Sequence, residues 1–444
     1  MIPLRVRYPE RSTLIRTLWD DRMKDPRPSD MTNTDNNKQY TPIKKAMADS
    51  YCEAMLPFKD DADLRAMYID MDGGVRMGKV LEDLDAMAAT VAYLHCSQPA
   101  FKSDFPMTIL TAAVDRIEMR HLGIPANQNM RIRAMVTWVG HSSMEISLSV
   151  DGGVDSVGAD ASASNFKQMA MARFIMVARS KDGKQAMPVN TLELGSDRER
   201  AIFRAGQSLA EARKARQVRK QNPPGAEESR LLHDIFQSRD SNKAKPNLSR
   251  MSQTISKVVR ICHPQEKNLH DLVFGGTLMR EAFELATACS AIHCGQLPVF
   301  LAIDELAFCH PVPIGSILEL TAMIVHVGLD DGFDSQVFGS SQGLNHTSTE
   351  KAKEAKKDMK RVHVQVVAHV LSIKDRSRLV TNTFHLTFEA PAETTPNVYP
   401  ETYEEGILYL EGRRRLTSMR RTNSTIRQDN PINVDPLETG VPGL

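Results

Sequence analysis

The chain has 444 residues, 41% of them apolar and 25% charged, and its 56 Lys and Arg nearly cancel 55 Asp and Glu, for a net charge of +1. This composition excludes a wholly disordered chain, a fibrous one and a disulfide-stapled miniprotein, and at about 150 residues per domain it suggests two or three domains. With no global field to recruit nucleic acid or an anionic membrane, any phosphate-bearing ligand must be gripped by a local site.

The longest apolar runs, such as residues 297–303, fall short of a bilayer span, so no membrane insertion is expected and the chain reads as soluble. Cys52, Cys96, Cys262, Cys289, Cys294 and Cys309 form no CxxC pair and read as reduced thiols of an intracellular protein. His95-Cys96 and His293-Cys294 are adjacent pairs whose side chains diverge on a helix, so no metal site is expected, and no cofactor.

In chain order, residues 1–45 are polar and broken and read as a disordered lead-in. Arg5, Arg7, Arg11 and Arg16 suit a mitochondrial presequence, whereas Glu10, Asp20 and Asp21 do not. A first domain is expected over 46–193. Within it, 79–95 (KVLEDLDAMAATVAYLH) has helical apolar spacing at Val80, Leu81, Leu84, Ala88 and Val91. Strand-like runs follow at 107–114, 132–140, 146–150 and 173–178.

Residues 194–250 are expected to form a helical linker, charged over 197–220 and stopped by Asn222-Pro223-Pro224-Gly225. A second domain over 251–412 repeats the first. Its residues 277–293 (TLMREAFELATACSAIH) match 79–95, and strand-like runs follow at 298–303, 320–328, 362–372 and 379–388. Polar insertions at 151–164 and 339–359 read as mobile loops, and 413–444, with Arg413, Arg414, Arg415, Arg420 and Arg421, as a disordered, solvated tail. One apolar helix followed by several strands in each half predicts an α+β fold with the helix packed on an antiparallel sheet.

The repeat aligns Asp85 with Phe283, each ten residues before its His-Cys pair. Asp85 shares a helix face with Leu81 and Ala88, where a carboxylate is costly unless paired or used. Burial there raises its pKa and suits it to act as a general base; the plainer alternative is a buried Asp capping a neighbouring loop. Glu82 and Asp83 fall on other faces and read as solvated. In the second half, Asn268 precedes Gly275-Gly276 by seven residues. Paired glycines at a helix start let a ligand approach the free backbone N–H groups, although residue types alone favour packing glycines and a turn Asn. Glu284 is rotated about 100° from Phe283 and reads as surface or loop-pairing. The GxSxG match at 339–343 is followed by a polar run and fails the context of a nucleophile elbow.

The pattern of Asn, six residues, Gly-Gly and an apolar helix resembles hotdog-fold acyl-CoA thioesterases. More closely, RMGKVLEDLDAMA (76–88), ICHPQEKNLHDLVFGGTLMREAFELA (261–286) and YPETYEEGILYLEG (399–412) resemble the mitochondrial acyl-coenzyme A thioesterase 9 branch. The resemblance implies two tandem hotdog domains, each a long central helix wrapped by an antiparallel sheet, that pair across their helices with active sites at that interface. It implies hydrolysis of acyl-CoA to a free acid and CoA, with Asp85 and Asn268 catalytic and Gly275 and Gly276 binding the thioester carbonyl. Asp70, Met77 and Phe283 stand where the reciprocal site would need Asn, Gly and Asp, which implies one competent site and one dead one unless Glu284 rescues the latter. Mitochondrial location and further assembly, as a homo-oligomer such as a trimer of double units, are also implied. Two other readings are an acyl-CoA binder that does not cleave and a dehydratase, for which His270 is off the Asn position.

Overall fold

The computed structural model describes residues 40–98, 105–121, 123–154, 165–219, 223–238, 247–268, 271–304, 306–329 and 359–426. Residues 1–39 of the lead-in expected over 1–45, residues 155–164 and 339–358 of the two expected loops with the rejected serine motif, His270 and residues 427–444 lie outside that description. The rest of the lead-in is not disordered: Tyr40 is buried and donates its hydroxyl to Asn190 Oδ1 at 2.9 Å, and a strand starts at Lys44. The chain divides into two units, the first made of 1–210, 274–280 and 434–444, the second of 211–273 and 281–433.

The first unit contains β1 (Lys44–Ala46), β2 (Cys52–Leu56), α1 (Ala62–Tyr68), α2 (Met77–Cys96), β3 (Met107–Met119), β4 (Met130–Val139), β5 (Ser143–Val154), β6 (Asn165–Ser180), β7 (Thr191–Glu193) and the start of α3 (Asp197–Arg219). Its sheet runs β2-β4-β5-β6-β3 with every pair antiparallel. Alternation sorts the strands into two faces. Ile132, Ala134 and Val136 lie opposite Val150, Leu148 and Ile146, which lie opposite Ala170, Ala172 and Phe174. This apolar face packs against α2, whose Val80, Leu81, Leu84, Met87, Ala88 and Val91 have no exposed surface. At 20 residues α2 spans about 30 Å. The other face carries Arg133, Thr137, Glu145, Ser147, Ser149 and Asp151, all buried. Asp151, expected in a mobile loop, instead lies within β5 and pairs with Arg133 at 2.6 Å and Arg131 at 3.1 Å. Gly206 of α3 meets this sheet so closely that an added Cβ would sit 2.6 Å from Trp138 Cβ.

The second unit contains α4 (Ala226–Gln237), β8 (Leu248–Arg250), β9 (Ser256–Ile261), most of α5 (Gly275–Cys294), β10 (Val299–Ile303), β11 (Leu306–Phe308), β12 (Ile317–Leu329), β13 (Met359–Leu371), β14 (Arg378–Pro391), β15 (Asn397–Tyr399) and α6 (Tyr403–Ile426). Its sheet runs β10-β14-β13-β12-β9, antiparallel throughout, with β11 also on β14. Phe283 on α5 meets Phe300 edge-on at 5.0 Å and Phe388 at 6.2 Å, and so fills this core. Phe283→Ala is expected to destabilise the second unit by about 3–5 kcal/mol in denaturant titrations, the range for a truncated core aromatic. A change below about 1 kcal/mol would show that the aromatic cluster does not hold the helix.

The repeat persists in detail. Each unit has a bulge at the same point of its strand, between Val136 and Trp138 in β4 and between Ile324 and His326 in β12. Each has a short parallel strand pair, β1 with β7 and β8 with β15. His95 Nε2 bonds Asn190 O at 2.8 Å and His293 Nε2 bonds Pro396 O at 2.9 Å, so the paired histidines close equivalent loops.

Two expectations need correction. The stretch 413–426 is not a disordered tail, because α6 continues through Ile426. Tyr409, Gly412 and Leu416 recur at helical spacing, and Gly412 lies against His326 and Val325, where an added Cβ would be 3.0 Å from each. Its arginines are not simply solvated: Arg414 grips Glu228 at 2.6 and 2.5 Å, and Arg415 pairs with Glu411 at 2.7 Å. Of the expected linker, α4 buries Leu232 and Ile235, and Gly406 of α6 meets Leu232 and Phe236 within the second unit.

Candidate active site

The first turns of α5, Phe274–Arg280, belong to the first unit and lie against α2. Phe274 O accepts from Thr277 N–H at 3.1 Å, which starts the helix and leaves its earlier N–H groups without intrahelical acceptors. Gly276 is required by close approach. A Cβ there would stand 2.8 Å from Glu82 Cα and 3.2 Å from Glu82 O, both backbone atoms.

That approach puts a backbone donor on Asp85. Gly276 N–H donates to Asp85 Oδ2 at 2.7 Å, and the Thr111 hydroxyl of β3 donates to Oδ1 at 2.7 Å. Asp85 is 2% exposed. Burial pushes its carboxyl up from 3.8 to about 6; the Thr111 and Gly276 hydrogen bonds pull it partway back, and the nearby Glu82 carboxylate adds a small further rise. The group is therefore a held carboxylate with a basicity close to neutral pH.

Asp85 and Gly276, singled out separately in the sequence, thus meet in one place. Gly275 opens the same helix one residue earlier. Gly276, expected to face a ligand carbonyl, has its N–H on Asp85. Asn268 lies in the second unit, half-buried, and its Oδ1 accepts from Leu272 N–H at 3.2 Å, the turn role that residue types alone favoured. The Asn268 loop and the matching Asp70 loop share a backbone. Asn268 N–H donates to Leu272 O and Asp70 N–H to Gly74 O, at 2.7 and 2.8 Å. Gly73 and Asp271, at the same loop position, both have positive φ, 84° and 57°.

Glu82 and Asp83 are not solvated, as their helix faces had implied, but 3% and 0% exposed. Asp83 accepts from the Tyr68 hydroxyl at 2.5 Å. Glu82 Oε1 pairs with Arg280 Nη1 at 3.0 Å and accepts from the Thr277 hydroxyl at 3.3 Å, while Oε2 pairs with Lys79 Nζ at 3.3 Å. An apolar stripe was the wrong test for the first three turns of α2, where residues 77–88 are all buried. Glu284, one step past Phe283, is half-buried in the second unit. Thr111, Arg280 and Thr277 carried no sequence signal.

The family model described as the thioesterase superfamily matches residues 270–329, which take in the start of α5. Mouse mitochondrial acyl-coenzyme A thioesterase 9 is 30% identical over 434 residues, covering 94% of this chain and 89% of its own. The human mitochondrial acyl-coenzyme A thioesterase 9 is 32% identical over 399 residues, covering 87% and 81%. Among solved structures, an acyl-CoA hydrolase from Staphylococcus aureus in complex with butyryl coenzyme A is 24% identical over 40% of this chain and 94% of that one, with a TM-score of 0.31. With relatives at this identity over most of both chains, the chain belongs to the acyl-coenzyme A thioesterase 9 family.

Proposed function

We propose that the protein hydrolyses acyl-CoA thioesters to a free acid and CoA in mitochondria, using Asp85 as the general base on water. The observation that carries this reading is Asp85 itself: a buried carboxylate, raised in basicity, held by Gly276 N–H and Thr111 at the start of a helix. The relatives named above are mitochondrial acyl-CoA thioesterases, which supports both the reaction and the location.

The chemistry asked of each group follows from its bonding. The thioester carbonyl comes to the N-terminus of α5, where Gly275 and Gly276 leave the backbone bare. Asp85 accepts a proton from water as the water attacks the carbonyl carbon; the tetrahedral intermediate then collapses, the C–S bond breaks to release CoA as the thiolate, and the proton held by Asp85 passes to that sulfur. As the carboxylate loses charge, its hold on Gly276 N–H weakens, while the carbonyl oxygen gains charge and becomes the better acceptor. The shared donor thus follows the charge from base to oxyanion. Asn268 is assigned to orient the water or the carbonyl. No cofactor is called on.

In this reading the two units are tandem hotdogs, each a long helix wrapped by its sheet. Only one of the two equivalent positions is competent, because Phe283 stands where the second Asp would be and Asp70 where the second Asn would be. Assembly of the chain into a homo-oligomer is part of the same proposal, and light scattering on the purified protein reads it.

Thiol release from acyl-CoA tests the activity. Asn268→Ala is expected to lower kcat about 100-fold, within the usual span for a positioned polar group, with a much smaller effect on Tm, because the turn hydrogen bond to Leu272 is worth about 1 kcal/mol and the main-chain bonds of the loop remain. Near-normal turnover would remove Asn268 from the mechanism. The acid limb of kcat/KM against pH is expected near pH 6, the value to which burial raises Asp85, with activity falling below it as the base becomes protonated. A limb near 4 would mean that the base is a solvated carboxylate. A binding protein on the same scaffold would give heat of acyl-CoA binding and no thiol.

A further inference from the structure

Three charged side chains beside Asp85 are not used by that mechanism. Glu82 lies one turn before Asp85 on α2, and its two oxygens are divided between two cations. Lys79, from the same helix, takes Oε2 at 3.3 Å; Arg280, from the start of α5, takes Oε1 at 3.0 Å, joined there by the Thr277 hydroxyl at 3.3 Å. Lys79, Glu82 and Thr277 are buried, and the Arg280 side chain is 16% exposed. Burying an ion triad is expensive, and well-packed apolar residues of the same volume often serve stability as well or better. Its position suggests another use. Glu82 is the residue whose backbone Gly276 touches, and Gly276 N–H is the donor on Asp85.

We infer that Glu82 and Arg280 are positioning residues for the thioesterase reaction: their ion pair clamps the first turn of α5 to α2, aims Gly276 N–H at Asp85, and balances the charge that Asp85 experiences. The inference rests on the reading of Asp85 as the base. The groups that face Asp85 are Glu82 from its own helix, with Lys79 behind it, Gly276 from the start of α5, with Arg280 behind Glu82, and the neutral Thr111 from β3. Geometry and charge therefore separate. Removing Glu82 alone leaves two cations near Asp85 and stabilises its ionised form. Removing Arg280 alone leaves Glu82 less compensated and destabilises it. Removing both restores the net charge but not the clamp.

The test is the pH dependence of acyl-CoA hydrolysis in four variants of the full chain, with circular dichroism to confirm folding. Glu82→Gln is expected to move the acid limb of kcat/KM down, since the Glu82 carboxylate raises Asp85, and Arg280→Gln to move it up by leaving Glu82 uncompensated, each by roughly 0.5 pH units or more. Arg280→Lys keeps the charge and should return the limb to within about 0.2 units of the unmodified protein. The double variant Glu82→Gln with Arg280→Gln keeps the net charge of the triad, with Lys79 as its one remaining cation, so it reports even where a single variant does not fold. Its limb should lie near the unmodified value while kcat stays at least about tenfold low, because the clamp is gone. Limbs that move in the same direction in both single variants, or a double variant with unchanged kcat, overturn the inference. Asp85→Asn run alongside separates the two levels: if it remains active, the reading of Asp85 fails; if it is inactive while the Glu82 and Arg280 variants behave as the unmodified protein, only the clamp fails.

Discussion

Asp85→Asn is expected to lower kcat for acyl-CoA hydrolysis by roughly a thousandfold, in the upper range for removal of a general base, while raising the stability of the protein at neutral pH. The two effects have one origin. The folded-state pKa of Asp85, about 6, lies above its unfolded value of 3.8. The folded chain therefore holds this proton more tightly, and the group's contribution to stability is full below about pH 4 and lost as pH rises through about 6. Above that point the ionised carboxylate costs the fold about 3 kcal/mol relative to a neutral one. An amide removes that cost and keeps both partners, since its oxygen accepts from Gly276 N–H and its NH2 can donate to the Thr111 oxygen. A higher Tm at pH 7, a smaller difference at pH 4 and a kcat lowered to that degree are the expected set. A Tm that falls at pH 7 would mark Asp85 as a structural cap, the plainer alternative the sequence allowed.

Gly276→Ala is expected to lower kcat by about 100-fold and stability by about 1–3 kcal/mol. The added methyl would meet Phe274 Cε1 at 2.6 Å, which can move, and Glu82 Cα at 2.8 Å, which is main chain and cannot yield without shifting a helix. The first turn of α5 must back away, and Gly276 N–H leaves Asp85. Because that hydrogen bond holds the Asp85 pKa down, the acid limb should also move to higher pH. A stability loss with unchanged kinetics would make Gly276 a packing residue alone.

The sequence disclosed what repeats along it. The helices containing Leu81 and Leu278 and the strand runs at 132–140 and 320–328 were legible because burial imposes a period, and Asp85 because the second copy puts Phe283 in register with it. What stayed hidden depends on partners far along the chain. Thr111 lies 26 positions from Asp85, and Thr277 lies 195 from Glu82, and nothing in either residue type announces the meeting. Glu82 was misplaced because a helical wheel presumes a wet side, which residues 77–88 of α2 lack. Residues 413–426 were misread because their arginines mask the three-and-four spacing of Tyr409, Gly412 and Leu416.

The Asp70 and Asn268 loops close through the same main-chain bond, from the N–H of the polar residue to the carbonyl four positions on, and each makes the same left-handed step before it. The closing bond of the turn is thus made by main-chain atoms, and the side-chain oxygen that joins it is one that Asp and Asn both supply. Substituting one polar side chain for another at its head leaves the architecture indifferent. A duplicated chain built on such loops can lose the chemistry of one copy by a single codon change that folding selection does not see. Divergence between the halves then needs no compensating repair, and an asymmetric protein is the outcome drift alone would reach.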